Sequence, residues 1–147
     1  MSGGWRYIAR RVLGLGFGFL LLFAAMDKLL YPAVFAESVE NYQVIGAGLS
    51  LFVAVWLPAF EALLGLLLVA GVWRREAAFL NAALMTGFFI LIVQAFIRGL
   101  DVECGCFGAG SSSIGFWKLL ENAGLAAAAF ILFRMEAGRT SSPETFP

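Results

Sequence analysis

The sequence predicts an all-α membrane protein, a polytopic four-helix bundle, from three observations. Of its 147 residues 61% are hydrophobic and 14% are charged, whereas soluble domains typically have about 45–50% apolar and about 25% charged residues. Four long apolar segments alternate with short polar ones, and a helix needs about 20 mainly apolar residues to cross the hydrocarbon layer. None of these segments shows the alternation of apolar and polar residues that is typical of barrel strands.

These segments place most of the chain in one domain. Residues 1–135 form the expected transmembrane domain, and residues 136–147 are polar and predict a C-terminal tail. Within lipid, a helix satisfies its backbone hydrogen bonds inside its own segment, which favours helices for all four spans. The expected spans cover residues of about 12–30, 49–73, 77–97 and 114–133.

The first apolar segment has a second interpretation. It ends early at Asp27 and Lys28, and arginines precede it, which also fits a secretory signal peptide with Phe23-Ala24-Ala25 as the small-residue site. The sequence begins with methionine, so we expect a membrane span here and not a cleaved leader.

The basic residues predict the orientation of the spans. With the N-terminus inside, seven arginines lie in cytoplasmic segments, and only Lys28, Arg98 and Lys118 lie on the other side. This predicts both termini inside, a location in the bacterial inner membrane, and a periplasmic connection over residues 98–113. The seven cytoplasmic arginines are Arg6, Arg10, Arg11, Arg74, Arg75, Arg134 and Arg139.

The connection between the first two spans predicts a short amphipathic helix. Phe35, Val39, Tyr42 and Ile45 recur at steps of four, three and three residues, with polar residues between them. We expect such a helix to lie at the membrane interface. It is either a functional lid over the bundle or a simple cover for apolar side chains, and both interpretations stay open.

The composition excludes several classes of function. The high apolar content excludes a disordered chain, two cysteines are too few for a disulfide-rich secreted scaffold, and a net charge of zero excludes a nucleic-acid binder that relies on net basicity. The sequence contains no histidine, which excludes a histidine base, zinc ligand or haem ligand. The lipid bilayer is therefore the first predicted partner.

The two cysteines lie in the connection between the third and fourth spans, as Cys104-Gly105-Cys106. A disulfide between them would close a very small ring, and the neighbouring glycines permit the backbone torsions that closure needs. Because so short a loop removes little entropy from the unfolded chain, the bond would stabilise the fold by well below the ~3 kcal/mol of a loop of about 15 residues. A strained bond that stabilises little is typical of labile, regulatory or catalytic disulfides, so the pair predicts thiol–disulfide chemistry.

Two other interpretations of the cysteine pair stay open. In the first, a static disulfide closes the loop of a non-catalytic scaffold subunit. In the second, two thiolates bind a soft metal ion such as copper(I) or mercury(II), in a small binding or transport protein. Two cysteines alone complete neither a structural zinc site nor an iron–sulfur site, and no metal site is predicted. The methionines do not cluster near the loop, which argues against metal transport. They are Met1, Met26, Met85 and Met135.

Polar residues inside or beside the spans predict a network in the bundle interior, because ionisable groups are costly in lipid. Glu61 follows Pro58 in the second span, where the proline frees a carbonyl and bends the helix, which helps the glutamate to find an interior partner. The network is either structural, such as an ion pair between Lys28 and Glu61, or it takes part in proton or electron transfer. Its candidate members are Asp27, Lys28, Glu61, Gln94, Glu121 and Asn122.

Four features of the sequence together resemble the MauE/DoxX family of redox-associated membrane proteins. The resemblance covers about residues 14–133, and its most specific part is the cysteine loop combined with the proline–glutamate span. The four features are Cys104-Gly105-Cys106-Phe107-Gly108, Met26-Asp27-Lys28-Leu29, the Phe35–Tyr42 segment, and Leu57-Pro58-x-x-Glu61-x-x-x-Gly65.

This resemblance implies a four-helix membrane bundle similar to the vitamin K epoxide reductase-like (VKOR-like) disulfide-forming enzymes. The methylamine-utilisation member of the family is an accessory for maturing a disulfide-rich periplasmic dehydrogenase subunit, alongside a thioredoxin-like partner. By position, Cys104 and Cys106 would be the redox pair, with Lys28 and Glu61 as polar residues of the bundle. The sequence has neither a fused thioredoxin-like domain nor a second cysteine pair, so we expect another molecule to supply or accept the electrons.

We therefore hypothesise a membrane thiol–disulfide oxidoreductase or redox accessory. It would exchange disulfides with a periplasmic thioredoxin-like or disulfide-containing protein through a mixed disulfide at Cys104 or Cys106. Lys28 or Lys118 would favour the thiolate electrostatically, and a protonated Glu61 or Glu121 would relay protons.

A quinone is the one cofactor that the architectural likeness suggests. Phe107 and Trp117 are candidate contacts for its flat ring. Aromatic side chains are also common at membrane interfaces, so both residues have a purely structural interpretation as well.

Overall fold

The computed structural model describes residues 2–100 and 116–138, which form five α-helices. Four of these helices are long and apolar enough to cross a membrane. For this part of the chain, the predicted all-α polytopic bundle is therefore confirmed. The helices are α1 Ser2–Leu30, α2 Pro32–Asn41, α3 Ala47–Ala70, α4 Arg74–Ile97 and α5 Phe116–Ala137.

The helix ends differ from the expected spans at several places, including the start of α1 and the ends of α3 and α5. α1 starts at Ser2 and not near residue 12, and α5 continues to Ala137 and not only to 133, because a helix does not have to end where its apolar segment ends. α3 stops at Ala70, before the expected end at 73. Gly71 stops it by adopting a left-handed conformation with φ 72°, and its N–H donates to the carbonyl of Leu67.

The short amphipathic helix expected between the first two spans is α2. Its apolar face includes Phe35, which is buried and belongs to the same cluster as Ala54 of α3. α2 ends at Asn41, so Tyr42 and Ile45 of the predicted pattern lie in the connection to α3 and not in the helix itself.

The bundle is built from two helix pairs. α1 packs mainly on α3 and α4 mainly on α5, while α2 packs on α3. Where α1 and α3 cross, a Cβ atom on Gly65 would lie 2.9 Å from the carbonyl oxygen of Gly18, and a Cβ atom on Gly18 would lie 3.0 Å from the carbonyl oxygen of Gly65. The two helix backbones are therefore in direct contact, as small residues allow in membrane helices.

The apolar residues divide into an interior cluster and an outer surface. Leu21, Leu64 and Leu132 are fully buried in the interior cluster. Many large apolar side chains instead point outward, which a bundle surrounded by lipid requires and a soluble one avoids. Examples are Phe19, Phe23, Leu51, Trp56, Ile90 and Phe130.

Exposed aromatic residues mark both ends of the bundle. Trp5 in the first turn of α1 and Trp73 in the α3–α4 turn lie at one end, 75% and 71% exposed. Tyr31 after α1 and Trp117 at the start of α5 are exposed at the other end. Aromatic belts of this kind are typical of the two membrane–water interfaces.

Candidate functional site

A buried ion pair joins α1 to α3. The ammonium of Lys28 donates to both carboxylate oxygens of Glu61 at 2.8 Å, and only 2% and 1% of the two side chains are exposed. The ion pair that the sequence suggested is therefore present. Ionisable groups in a membrane span are expected to face a partner in the bundle interior, and this pair does so.

The position of Glu61 depends on the helix turn before it. Pro58 lies inside α3 and is fully buried, and it cannot donate to the carbonyl of Ala54 one turn earlier. Glu61 follows within the next turn and is itself fully buried, directed toward α1. Lys28, in the last turn of α1, is thus held in the bundle interior and not extended to the interface.

Two aromatic rings flank the Lys28 ammonium. The ring centroids of Phe35 in α2 and Phe88 in α4 lie 5.0 Å and 5.2 Å from its Nζ atom. Both distances suit cation–π attraction, which strengthens when water is excluded. The ammonium therefore contacts groups from α2, α3 and α4 while its own side chain belongs to α1.

A small cavity of about 20 Å³ adjoins the ion pair. Lys28 and Glu61 line it together with Met85 of α4 and Asn122 of α5. Asn122 is buried, and its amide nitrogen donates to the Lys118 carbonyl at 3.1 Å. The ion pair, Asn122 and the start of α5 are thus neighbours in the same half of the bundle.

A larger cavity of about 220 Å³ also borders Lys28. Its polar contributions come from Lys28, Ser38 and Tyr42, and the rest of its wall is apolar. An engineered apolar cavity of about 150 Å³ in another protein holds a benzene ring, so this cavity is large enough for a six-membered ring. The cavity is therefore large and apolar enough for a flat ring such as that of a quinone, and Lys28 borders one side of it. The apolar wall includes Phe35, Val39, Val53, Leu57, Phe88 and Leu91.

The remaining candidate residues that the structure describes do not line the two cavities beside the ion pair. Asp27 and Gln94 are half-buried and do not line either of these two cavities. Glu121 is exposed and pairs with Lys118 at 3.3 Å, on the surface of α5. Trp117 is 75% exposed and also lies outside both cavity linings.

Cys104, Cys106 and Phe107 lie outside the described residues. The segment that carries them follows α4 and precedes α5. α4 ends at Ile97, and the next residue, Arg98, donates to the side-chain oxygen of Gln43 at 3.4 Å, in the connection between α2 and α3. The segment that carries both cysteines therefore leaves α4 at the α2 end of the bundle.

Three buried polar side chains were not predicted from the sequence, namely those of Ser50, Asn81 and Glu136. Ser50 of α3 is fully buried and donates to a carboxylate oxygen of Glu40 at 2.7 Å, which ties the end of α2 to α3. Asn81 of α4 is fully buried, and within the described part of the chain neither atom of its amide has a hydrogen-bond partner. A polar residue inside a predicted span is the signal that would have identified Asn81.

The helices, the apolar outer surface and the central ion pair define a multi-pass helical membrane protein. The family model "Methylamine utilisation protein MauE" matches residues 6–135. This chain belongs to that family. The sequence is 32% identical over 102 residues to the methylamine utilization protein MauE of Paracoccus denitrificans, and 37% identical over 113 residues to that of Methylorubrum extorquens.

The matched regions cover 69% and 76% of this chain but only 55% and 61% of the Paracoccus and Methylorubrum proteins. The chain thus spans less than two thirds of the length of these relatives. No solved structure matches the chain. The architectural likeness to VKOR-like enzymes accordingly stays a prediction.

Proposed function

We propose that this protein is a membrane accessory of methylamine utilisation that exchanges disulfides with a periplasmic partner through Cys104 and Cys106. One observation carries the proposal: the only two thiols of the chain are separated by a single glycine. They lie in the segment that follows α4, whose next residue, Arg98, donates to Gln43. The link to methylamine utilisation rests on the family and on the names of the two relatives.

The proposed exchange moves two electrons in two steps. A thiolate of the partner attacks one sulfur of the Cys104–Cys106 disulfide, which forms a mixed disulfide and releases the other cysteine as a thiolate. The second thiolate of the partner then attacks the mixed disulfide, so the partner leaves oxidised and both cysteines of the pair are reduced. The same steps run in reverse when the pair reduces a partner disulfide, and the relative reduction potentials set the direction.

The charged residues of the bundle have different parts in this proposal. Lys28 is already neutralised by Glu61 at 2.8 Å, so its main part is to hold α1, α2 and α3 together next to the cavity. Lys118 lies twelve positions after Cys106, and its side chain is 22% exposed. Its pair with Glu121 at 3.3 Å lies at the surface, where an ion pair is weak, so Lys118 is the better candidate for an ammonium that favours a thiolate at the membrane surface.

Turnover in the oxidising direction needs an acceptor for two electrons and two protons, and a membrane quinone supplies that chemistry when bound. The 220 Å³ cavity is the site that fits its ring. Apolar side chains would hold the ring and exclude water, beside the Lys28–Glu61 ion pair.

Trapping of the mixed disulfide tests the exchange. In membranes that contain the chain and periplasmic proteins, either Cys104→Ser or Cys106→Ser is expected to accumulate an adduct that thiol reductants release. The double variant should accumulate none and should lose partner oxidation. Ser111→Ala, a change in the same segment without loss of a thiol, serves as the matched control and should behave as the unmodified chain does.

The same variants discriminate the other two interpretations. If the double variant oxidises the partner as fast as the unmodified chain at equal protein level, the exchange proposal is wrong and a scaffold subunit is favoured. If the permanently reduced pair binds copper(I) or mercury(II) tightly and forms no adduct, metal binding is favoured instead.

A tryptophan placed in the cavity tests the quinone site separately. Val53 lines the cavity, whereas Val55, two positions later on α3, is 53% exposed on the outer surface. Val53→Trp is expected to slow the reoxidation of the cysteine pair by added quinone at least tenfold, and Val55→Trp should leave the rate unchanged. Equal rates for both variants would exclude this cavity as the quinone site without affecting the exchange with the partner.

A further inference from the structure

A cluster of arginines lies at the end of the bundle away from Lys28, around the turn between α3 and α4. Arg10 and Arg11 come from α1, and Arg74 is the first residue of α4. With Glu136 of α5 they line a small cavity of about 20 Å³. Three arginines and one glutamate leave this lining with a net charge of +2.

Two of the guanidinium groups converge on Gly71. A Cβ atom built there would lie 2.7 Å from Nη2 of Arg74 and 3.2 Å from Nη1 of Arg11. Like charges this close repel each other unless an anion lies nearby. The described residues contain no ion pair to Arg10, Arg11 or Arg74, although the buried Glu136 lines the same cavity. Among the described residues, Glu136 is therefore the one carboxylate that lines the cavity with the three guanidinium groups, and it leaves them with an excess of positive charge.

The chemistry of this site suits a phosphate. Guanidinium groups bind phosphate oxygens with paired N–H donors, and two of them from different helices can approach one anion from different sides. The site also lies at the N-terminus of the long helix α4, where Trp73 provides no side-chain cap for the free backbone N–H groups. A cavity of about 20 Å³ has room for one oxygen atom of a bound anion, with the rest of the group at the surface.

The apolar residues of the cavity lining favour a phosphate that belongs to a lipid over a free phosphate ion. Leu15 and Leu68 line the cavity beside the arginines, and Leu15 is partly exposed on the outer surface of α1. The exposed Trp73 next to Arg74 marks the level of the membrane interface. A phosphate at this level with an apolar path leading away from it matches a phospholipid headgroup with its acyl chains.

We propose that Arg10, Arg11 and Arg74 bind the headgroup phosphate of an anionic phospholipid. One phosphate oxygen enters the cavity between the arginines, and the acyl chains follow the exposed apolar side of α1. The bound lipid supplies the missing negative charge and links α1, α3 and α4 at this end of the bundle. This site is independent of the cysteine segment, which leaves α4 at the opposite end.

Lipid retention by the purified full chain tests the proposal. In detergent with added phosphatidylglycerol, native mass spectrometry is expected to show one retained lipid, and phosphatidylcholine should not replace it. Each arginine removed should lower the affinity about fivefold, so Arg11→Gln/Arg74→Gln should lower it by about 25-fold. Arg6→Gln/Arg75→Gln removes the same charge from exposed positions outside the cavity and should change the affinity by less than about twofold.

Three results would overturn the proposal. Equal retention of phosphatidylglycerol and phosphatidylcholine would exclude recognition of the anionic headgroup. Equal loss of lipid affinity in the two double variants would show that the effect comes from general surface charge. Full competition by inorganic phosphate at the lipid's own concentration would indicate a free-anion site. If Arg11→Gln/Arg74→Gln does not fold, Arg10→Gln replaces it, because Arg10 has no hydrogen bond in the described structure that the change would remove.

Discussion

The Lys28 ammonium lies 2.8 Å from both carboxylate oxygens of Glu61, with both side chains almost completely buried. This contact joins the last turn of α1 to the turn of α3 that follows Pro58. A single charge left in such an environment is strongly destabilising, so each residue depends on the other to remain in the bundle. The pair therefore fixes how α1 and α3 face each other beside the larger cavity.

Substitution of Glu61 by glutamine tests this dependence. We expect the free energy of unfolding to fall by about 3–5 kcal/mol, because the Lys28 ammonium stays buried without its counter-charge. Lys28→Met/Glu61→Leu removes both charges and should recover most of the stability. Denaturation in mixed micelles measures both variants, and an equal loss in the two would contradict the assignment of the cost to an unpaired charge.

The variant Lys28→Met/Glu61→Leu also decides between the structural and the proton- or electron-transfer interpretation of the ion pair. If it is stable and still supports disulfide exchange at Cys104 and Cys106, the ion pair is structural. If it is as stable as the unmodified chain but exchanges at least tenfold more slowly, Lys28 and Glu61 also take part in proton or electron transfer.

The ion pair was predictable from the sequence, whereas other polar contacts were not. Lys28 and Glu61 are charges of opposite sign in two apolar spans, and the high cost of an isolated charge in lipid makes a partner necessary. Ser50 and Glu40 carry no such signal, because serine is tolerated in a span and Glu40 lies in a segment that was expected to be exposed. Their contact depends on how α2 folds back onto α3.

The four spans were predictable for a similar physical reason, but the helix contacts between them were not. Span length follows from the thickness of the hydrocarbon layer alone. The contact of Gly18 with Gly65 depends on the register of two helices. Gly65 ends the proline–glutamate motif, but nothing in the sequence pairs it with Gly18 among the 17 glycines of the chain. At Gly87, for example, an added Cβ atom would meet no atom of another helix within 4 Å in the described part of the chain.

Substitution of Gly65 by alanine is expected to destabilise the crossing of α1 and α3. The added Cβ atom would lie 2.9 Å from the backbone oxygen of Gly18 and 3.0 Å from Leu22, so the helices must move apart at a cost of about 1–3 kcal/mol. Gly87→Ala is the matched control and should be neutral or stabilising by up to about 1 kcal/mol, because alanine favours the helix. Equal melting temperatures for both variants would contradict the close contact.

Substitution of Ser50 by alanine is expected to loosen α2. It removes the hydrogen bond to Glu40 that ties α2 to α3, at a cost of about 1 kcal/mol because the exposed Glu40 carboxylate can be hydrated instead. Hydrogen exchange should become faster in α2 while α4 and α5 keep their protection. Ser38→Ala removes a hydroxyl that donates within α2 to Val34 and serves as the control. Faster exchange in both variants to the same extent would contradict a specific tie at Ser50.

Labelling of the cysteines tests the predicted orientation. In the sequence, seven arginines in the predicted cytoplasmic segments against three basic residues elsewhere favour a cytoplasmic N-terminus, which predicts Cys104 and Cys106 on the periplasmic side. After mild reduction of intact cells, a membrane-impermeant maleimide is therefore expected to label both cysteines. A single cysteine introduced as Ser2→Cys in the Cys104→Ser/Cys106→Ser background should react only after the membrane is permeabilised. The reverse pattern would exclude a periplasmic partner for the cysteine pair.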